Sequence, residues 1–234
     1  LYGAVLRHDP RNPSWDGRDW FLLSKGHGCP ALYAVLARWG YFPESELMTL
    51  RKLGTRLQGH PQKGLPGVEI SSGSLGQGLS IAVGIAWSLK LDKKDNRVYC
   101  VLGDGETNEG QIWEAAMTAA HYHLDNLCVI VDKNNLQIDG FCCDVMNAGP
   151  MQRRWQAFGW SALETDGHDI GALIGSCDKA RTIKGVPTVI IAETVKGKGV
   201  SFVENRVNWH GIAPKKDELT RALAELDEAA KKIQ

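Results

Sequence analysis

The chain has 234 residues, of which 43% are hydrophobic and 23% are charged, and this composition is typical of a folded globular protein. It excludes a disordered chain, a collagen-like repeat and a coiled coil. Lys and Arg together number 27, as do Asp and Glu, so the zero net charge favours neither nucleic acid nor an anionic membrane surface as a partner. No apolar run approaches the roughly 20 residues of a membrane-spanning helix.

Cysteine usage and the first residues bear on location and on the extent of the domain. The six cysteines include no C-x-x-C pair, and Cys100 and Cys128 lie in apolar runs, where a free thiol behaves as a small hydrophobic group. We therefore expect reduced thiols and a cytoplasmic location. The apolar residues 1–6 resemble the inside of a helix, so we expect further residues before Leu1. Residues 1–234 are interpreted as a single domain that lacks some N-terminal residues.

Helical and extended segments alternate along the chain, as in an α/β fold. Pro30 and Gly40 mark the ends of the first helix, because proline is tolerated in the first turn and glycine is common after the last. A short helix follows Pro43. Further helices are predicted at 74–91, 109–124, 169–184 and 217–233, and strands at 98–102, 127–131, 161–164 and 188–192. Strands 98–102 and 127–131 are apolar throughout, which predicts a doubly wound, mostly parallel sheet flanked by helices.

The predicted helix at 74–91 is rich in small residues, among them Gly76, Gly78 and Gly84. Each glycine lowers helix stability by about 1 kcal/mol relative to alanine, so several in one helix indicate close packing of its backbone. We therefore expect this helix to be buried. Trp87 in this helix and Trp113 in the next one are predicted to be core residues.

Polar clusters follow two of the predicted strands. Residues 103–106 (Gly-Asp-Gly-Glu) follow the first strand, and residues 132–135 (Asp-Lys-Asn-Asn) follow the second. Ligands of parallel sheets bind beyond the carboxyl ends of the strands, where Asp104 and Asn134 would face one crevice. A carboxylate, a side-chain amide and a backbone carbonyl suit Mg²⁺ or Ca²⁺, and Gly105 allows a phosphate to approach its N–H group. Either cluster alone is more often a simple turn, but together they favour a metal and a diphosphate.

A Gly-Asp-Gly turn followed about thirty residues later by Asn, here Asp104 and Asn134, is the thiamine diphosphate signature. With it, the chain resembles the N-terminal, diphosphate-binding part of transketolase over nearly its whole length, more than it resembles deoxyxylulose-phosphate synthase. The stretches that carry the resemblance, in the order of the family, are 23–28 (LSKGHG), 58–61 (QGHP), 73–78 (GSLGQG), 103–110, 132–140, 194–199 (TVKGKG) and 209–211 (WHG). Seven such stretches in one order are highly specific.

The resemblance implies roles for the residues around the metal and the diphosphate. Asp104 and Asn134 would bind Mg²⁺ through their side chains, and Leu136 through its backbone carbonyl. The residues that would hold the diphosphate are His27, Gly105, Lys196 and His210. Without the resemblance, Lys196 would be interpreted as a solvated surface residue, because a lysine in a Lys-Gly-Lys stretch usually is one. Lys25 is left open between a site at the cleft entrance and solvent.

The resemblance also implies roles at the reactive end of the cofactor. Gly73, Ser74 and Leu75 would line the aminopyrimidine and the thiazolium, with Ile138 nearby. The residues expected to act in catalysis are His60 and His210, which would face the substrate, and Glu109, which would help to link two active sites across a dimer.

The leading hypothesis is a subunit of a transketolase-type enzyme that moves a two-carbon ketol unit from a ketose phosphate to an aldehyde acceptor. The pyrimidine-side domain of the family is absent from this sequence, so we expect it on a separate C-terminal subunit, in an α2β2 heterotetramer. One alternative is a specialised relative that delivers the unit to a carrier protein or an unusual sugar in secondary metabolism. Another is a non-catalytic binding module, which the retained His27, His60 and His210 argue against.

Overall fold

The computed structural model describes residues 1–231. Within them the central sheet consists of five parallel strands in the order β1-β2-β3-β7-β6. The strands are β1 (Trp20–Leu23), β2 (Val98–Gly103), β3 (Leu127–Lys133), β6 (Ser161–Asp166) and β7 (Thr188–Glu193), with β4 (Leu136–Gln137) and β5 (Gly140–Phe141) forming a separate antiparallel pair. The predicted parallel sheet is confirmed.

Helices cover both faces of this sheet. They are α1 (Cys29–Arg38), α2 (Gln77–Leu91), α3 (Gly110–His121), α4 (Cys142–Val145), α5 (Met151–Ala157), α6 (Ile170–Thr182) and α7 (Lys216–Lys231). On one face, α2, α3 and α5 pack against alternate strand residues such as Cys100 and Val129. On the other face, α6 packs against Tyr99 and Cys128, while α1 builds a neighbouring cluster beside Phe21. The doubly wound arrangement is therefore confirmed.

Several predicted elements differ in extent or kind. Residues 1–6 form a hydrogen-bonded turn around the Leu1 carbonyl rather than a helix. A 3-10 helix at Glu44–Thr49 takes the place of the short helix after Pro43. The predicted end of the last helix, at Ile233, lies outside the described residues. Among residues 1–231, no helix is both long and apolar enough to cross a membrane.

The small-residue helix α2 starts later and is less buried than predicted. It begins at Gln77, because Gly76 has a φ of 84°, a left-handed conformation that ends helical geometry there. Its inner face packs closely: a Cβ on Gly78 would lie 2.5 Å from Ser24 Cβ. Its outer face is open to solvent at Gly84 and at Trp87, which is 37% exposed and was wrongly predicted to be a core residue.

Candidate functional site

The carboxyl ends of β2 and β3 meet at Asp104. Gly103 pairs with Asp132 in the sheet, and the Asp104 N–H donates to the Asp132 carbonyl over 3.2 Å. The two carboxylate oxygens of Asp104 accept hydrogen bonds from Gly105 N at 2.8 Å and from Asn135 N at 2.5 Å. Burial raises the pKa of Asp104, while these two N–H groups oppose the shift. The carboxylate is thus held by the backbone of both polar clusters.

Asn134 and Leu136 lie beside Asp104 in the turn after β3. Asn134 is buried, and its Oδ1 accepts from Leu136 N at 3.1 Å. Asn135 between them has a φ of 61°, a conformation that asparagine tolerates better than most residues. Within the described chain, no group of three or more His, Cys, Asp or Glu side chains could hold a metal. The oxygen donors present therefore fit a hard cation that takes its remaining ligands from phosphate or water.

Basic side chains from distant parts of the chain converge next to this turn. The rings of His27 and His210 lie 5.6 Å apart. Although His27 is exposed at the surface of the cleft, partial desolvation and then the charges of Lys25, His210, Lys196 and His60 together lower its pKa to about 4. Burial and Lys25 likewise lower the pKa of Lys196. So many basic groups near one another repel, and an anion such as a diphosphate would relieve that repulsion.

Two unpartnered polar atoms support a ligand in this cleft. His210 Nδ1 and Gln137 Nε2 are buried and have no hydrogen-bond partner in the protein. Gln137 lies against Gly105, where a Cβ would be 3.1 Å from Gln137 Cβ. Buried polar atoms are normally satisfied, so these two are available to hydrogen-bond a bound molecule. The residues present fit a metal-bound diphosphate.

The predicted ring-binding and substrate-facing residues lie along the same edge. A Cβ on Gly73 would be 3.3 Å from the ring of His60, so the exposed imidazole lies directly on Gly73. Leu75 is half-buried, whereas Ser74 is exposed. A Cβ on Gly26 would lie 2.9 Å from Gly73 N. The turn that carries His27 therefore touches the turn that carries Gly73.

Ile138 and Glu109 lie at the exposed margins of the cleft. Ile138 is 71% exposed. Glu109 is exposed at the start of α3, and its Cβ is 2.9 Å from the position a Cβ on Gly76 would take. Both residues are available for contact with a cofactor or another chain.

An ion pair in the cleft was not assigned by the sequence. Lys25 Nζ lies 2.7 Å from Asp132 Oδ2, and Thr194 Oγ1 donates to Asp132 Oδ1 over 2.5 Å. Burial raises the pKa of Asp132, but Lys25 together with the hydrogen bonds from Thr194 and Asn134 outweighs that effect, and the net shift is downward. All three residues lie in stretches that carry the family resemblance, although the stretches alone do not pair them.

A doubly wound parallel sheet with a Gly-Asp-Gly turn and a basic cleft at its carboxyl edge defines an α/β protein whose cleft fits a phosphorylated ligand. The family model described as transketolase, thiamine diphosphate binding domain, matches residues 1–229. The chain belongs to this family, and the resemblance found in the sequence is confirmed.

Relatives and solved structures agree with that assignment. The chain is 42% identical over 228 residues to a 6-deoxy-6-sulfo-D-fructose transketolase subunit of Clostridium sp. (strain MSTE9), covering 97% of this chain and 83% of the relative. It is 44% identical to an apulose-4-phosphate transketolase subunit of Actinobacillus succinogenes, covering 97% and 82%. A transketolase structure from Campylobacter jejuni superposes with a TM-score of 0.88 at 33% identity, over 96% of this chain and 36% of that one. The chain thus spans about a third of that transketolase.

Proposed function

We propose that the chain is the diphosphate-binding subunit of a split transketolase that transfers a two-carbon ketol unit from a ketose phosphate to an aldehyde acceptor. The observation that carries this proposal is the cluster of Lys25, His27, Lys196 and His210 beside the oxygen donors of Asp104. When bound, thiamine diphosphate supplies the stabilised carbanion that such a transfer needs. The residues of this chain hold and orient it.

At the diphosphate end, the proposal gives each donor a defined task. Asp104 and Asn134 hold Mg²⁺ through their side chains, and Leu136 holds it through its carbonyl. His27, Lys196 and His210 neutralise and hydrogen-bond the diphosphate, and the Gly105 N–H approaches it without steric hindrance. Lys25 stays paired to Asp132 and adds positive charge to the cleft.

At the reactive end, the chain positions rings and sugar hydroxyls. Gly73, Ser74 and Leu75 line the cofactor rings, and Ile138 packs nearby. His60 and His210 face the sugar, where a neutral imidazole can donate or accept a proton at a hydroxyl. Glu109 stands at the start of α3, where we expect it to link two active sites. The roles of these residues come from the family resemblance, and their contacts described above are compatible with it.

We propose that the partner is a separate pyrimidine-side subunit and that two copies of each subunit form a heterotetramer. Residues 1–234 form a single domain of that assembly. Both of the relatives reported above are named as subunits. An apolar surface on the outer faces of α2 and α3 supports extensive assembly: Leu91 is 68% exposed, and Trp87 stacks on Tyr122 with ring centroids 4.1 Å apart. Exposed apolar patches of this kind mark interfaces. The six unpaired cysteines are compatible with the cytoplasmic location, which stays a prediction.

A specialised sugar substrate is the second candidate. The two relatives reported above act, by name, on 6-deoxy-6-sulfo-D-fructose and apulose 4-phosphate rather than on a common pentose phosphate. The identities of 42% and 44% to these two relatives support an unusual sugar as the substrate of this chain. Comparing turnover with xylulose 5-phosphate and with a sulfonated ketose distinguishes the two.

The proposal is tested by metal-dependent cofactor binding to this chain. Asp104→Ala removes the carboxylate, so thiamine diphosphate with Mg²⁺ should show no binding heat by calorimetry, while circular dichroism shows a retained fold. Asp92→Ala, at an exposed position after α2, is the matched control and should bind as the wild type does. Unchanged affinity in Asp104→Ala would refute the metal site.

A further inference from the structure

We propose that Glu106 is a positioning residue that fixes the two turns of the cofactor site relative to each other. The inference rests on the proposed function, since it concerns how one turn holds the diphosphate while the other lines the rings. Glu106 itself is only 3% exposed and lies behind the cleft. It follows the Gly-Asp-Gly turn and has no role in the ligand contacts proposed above.

The Glu106 carboxylate accepts hydrogen bonds from three different elements. Its Oε1 accepts from Ser24 Oγ and from Gly76 N, the latter at 2.9 Å. Its Oε2 accepts from Gly103 N at 3.0 Å. Ser24 directly follows β1, Gly76 precedes α2, and Gly103 ends β2. A single buried side chain therefore joins the ends of two strands and the start of one helix.

Neutral donors alone hold this carboxylate. Within residues 1–231, none of the ion pairs involves Glu106. An ionised carboxylate is only an acceptor, and all three of its partners are donors, so the set is chemically matched. A glutamine at this position would turn an NH₂ group toward at least one donor. Losing such a buried, charge-assisted contact destabilises this part of the fold, because the freed donor stays unsatisfied.

Two of the three donors lead directly into the turns of the cofactor site. Ser24 is followed by the turn with Lys25 and His27, and Gly76 follows the Gly73–Leu75 turn. The two turns also touch through their backbones: a Cβ on Gly26 would lie 2.8 Å from the Ser72 carbonyl carbon. Glu106 bridges the bases of both turns, so it sets the distance between the diphosphate end and the ring end of one bound molecule.

The consequence is specific to a ligand that spans both turns. Inorganic diphosphate with Mg²⁺ occupies only the diphosphate end of the site. Thiamine diphosphate needs both ends at the right separation. Loss of the Glu106 hydrogen bonds should therefore weaken the binding of thiamine diphosphate much more than the binding of inorganic diphosphate. A general loss of stability would weaken both ligands in proportion.

The experiment titrates thiamine diphosphate and, separately, inorganic diphosphate into the full chain with saturating Mg²⁺. Glu106→Gln should lower the affinity for thiamine diphosphate about tenfold and change the affinity for inorganic diphosphate less than about twofold. Glu114→Gln, at an exposed position on α3, is the control and should match the wild type for both ligands. If Glu106→Gln does not fold, Ser24→Ala replaces it as the test, because it removes one donor and keeps the carboxylate. It should also lower the affinity for thiamine diphosphate more than that for inorganic diphosphate, but by a smaller factor.

The outcomes separate this inference from the proposed function. If Glu106→Gln lowers the affinity for both ligands equally, or changes neither affinity, Glu106 has no positioning role. Wild-type chain that binds no thiamine diphosphate, either alone or together with the pyrimidine-side subunit, overturns the proposed function instead. Additive effects of Ser24→Ala and Glu106→Gln on thiamine diphosphate affinity also contradict the inference, because residues that act as one unit are non-additive.

Discussion

The imidazole rings of His27 and His210 lie 5.6 Å apart with their planes inclined by 32°, although the two residues stand near opposite ends of the chain. Each ring lies in the field of Lys25 and Lys196. In the protein alone, both histidines are therefore shifted toward the neutral form. The cleft can gain protons when an anion enters, because negative charge favours the imidazolium form.

The first prediction concerns the dependence of stability on pH. Burial, followed by Lys25 and His210, lowers the pKa of His27 to about 4, whereas histidine in an unfolded chain has a pKa of about 6.5. Between these values the unfolded chain binds more protons at this residue, so the free energy of unfolding falls as the pH falls. His27→Asn should make that fall shallower, and urea unfolding at about pH 7 and about pH 4.5 measures it. His121→Asn, at an exposed position, should leave the dependence as it is.

The second prediction separates substrate contact from cofactor contact at His60. Its ring lies directly on Gly73, in the turn proposed to line the cofactor rings. His60→Ala should lower turnover by about 10²–10⁴-fold in the assembled enzyme, the usual range for loss of proton transfer or its equivalent. Affinity for thiamine diphosphate should change by less than about threefold in calorimetry. A collapse of cofactor affinity together with turnover assigns His60 to the diphosphate instead.

The third prediction compares two glycines of one helix. In Gly78→Ala the new Cβ would lie 2.5 Å from Ser24 Cβ and 2.7 Å from Ser24 Cα, so the free energy of unfolding should fall. Overpacking of this kind lowers it by about 1–3 kcal/mol. Gly84→Ala meets no atom within 4 Å and should raise it, by about 1 kcal/mol, through better helix propensity. Urea unfolding of the isolated chain measures both, and effects of equal sign would contradict the packing of α2 against β1.

The fourth prediction concerns the requirement for a partner. In the proposed site the described residues would hold the metal and the diphosphate, and they leave the apolar outer faces of α2 and α3 uncovered. A purified preparation of this chain, verified to be free of other subunits, should show no two-carbon transfer from a ketose phosphate with thiamine diphosphate and Mg²⁺. Addition of the pyrimidine-side subunit should restore activity. Turnover by the chain alone, equal to that of the mixture, would refute the split enzyme.

Some features of the site follow from the sequence because they depend on local order along the chain. Asp104 and Asn134 each come directly after an apolar strand, and parallel neighbouring strands bring their carboxyl ends together. Helix limits were less accessible. The start of α2 moved from residue 74 to Gln77 because Gly76 takes a left-handed conformation, which composition does not reveal. Trp87 was wrongly predicted to be core, because helical spacing alone does not say which face is covered.

By itself the sequence determined the fold class, the family and the two polar turns, since apolar strands and motif order are encoded in consecutive residues. Only the tertiary structure decided which distant groups meet. The strand order β1-β2-β3-β7-β6 brings the loops after β1, β2, β3 and β7 to one edge, so that Lys25 reaches Asp132 and His27 reaches His210. It also buries Glu106 among three donors that no sequence spacing connects. These contacts depend on packing between elements, which the residue pattern within a single element does not specify.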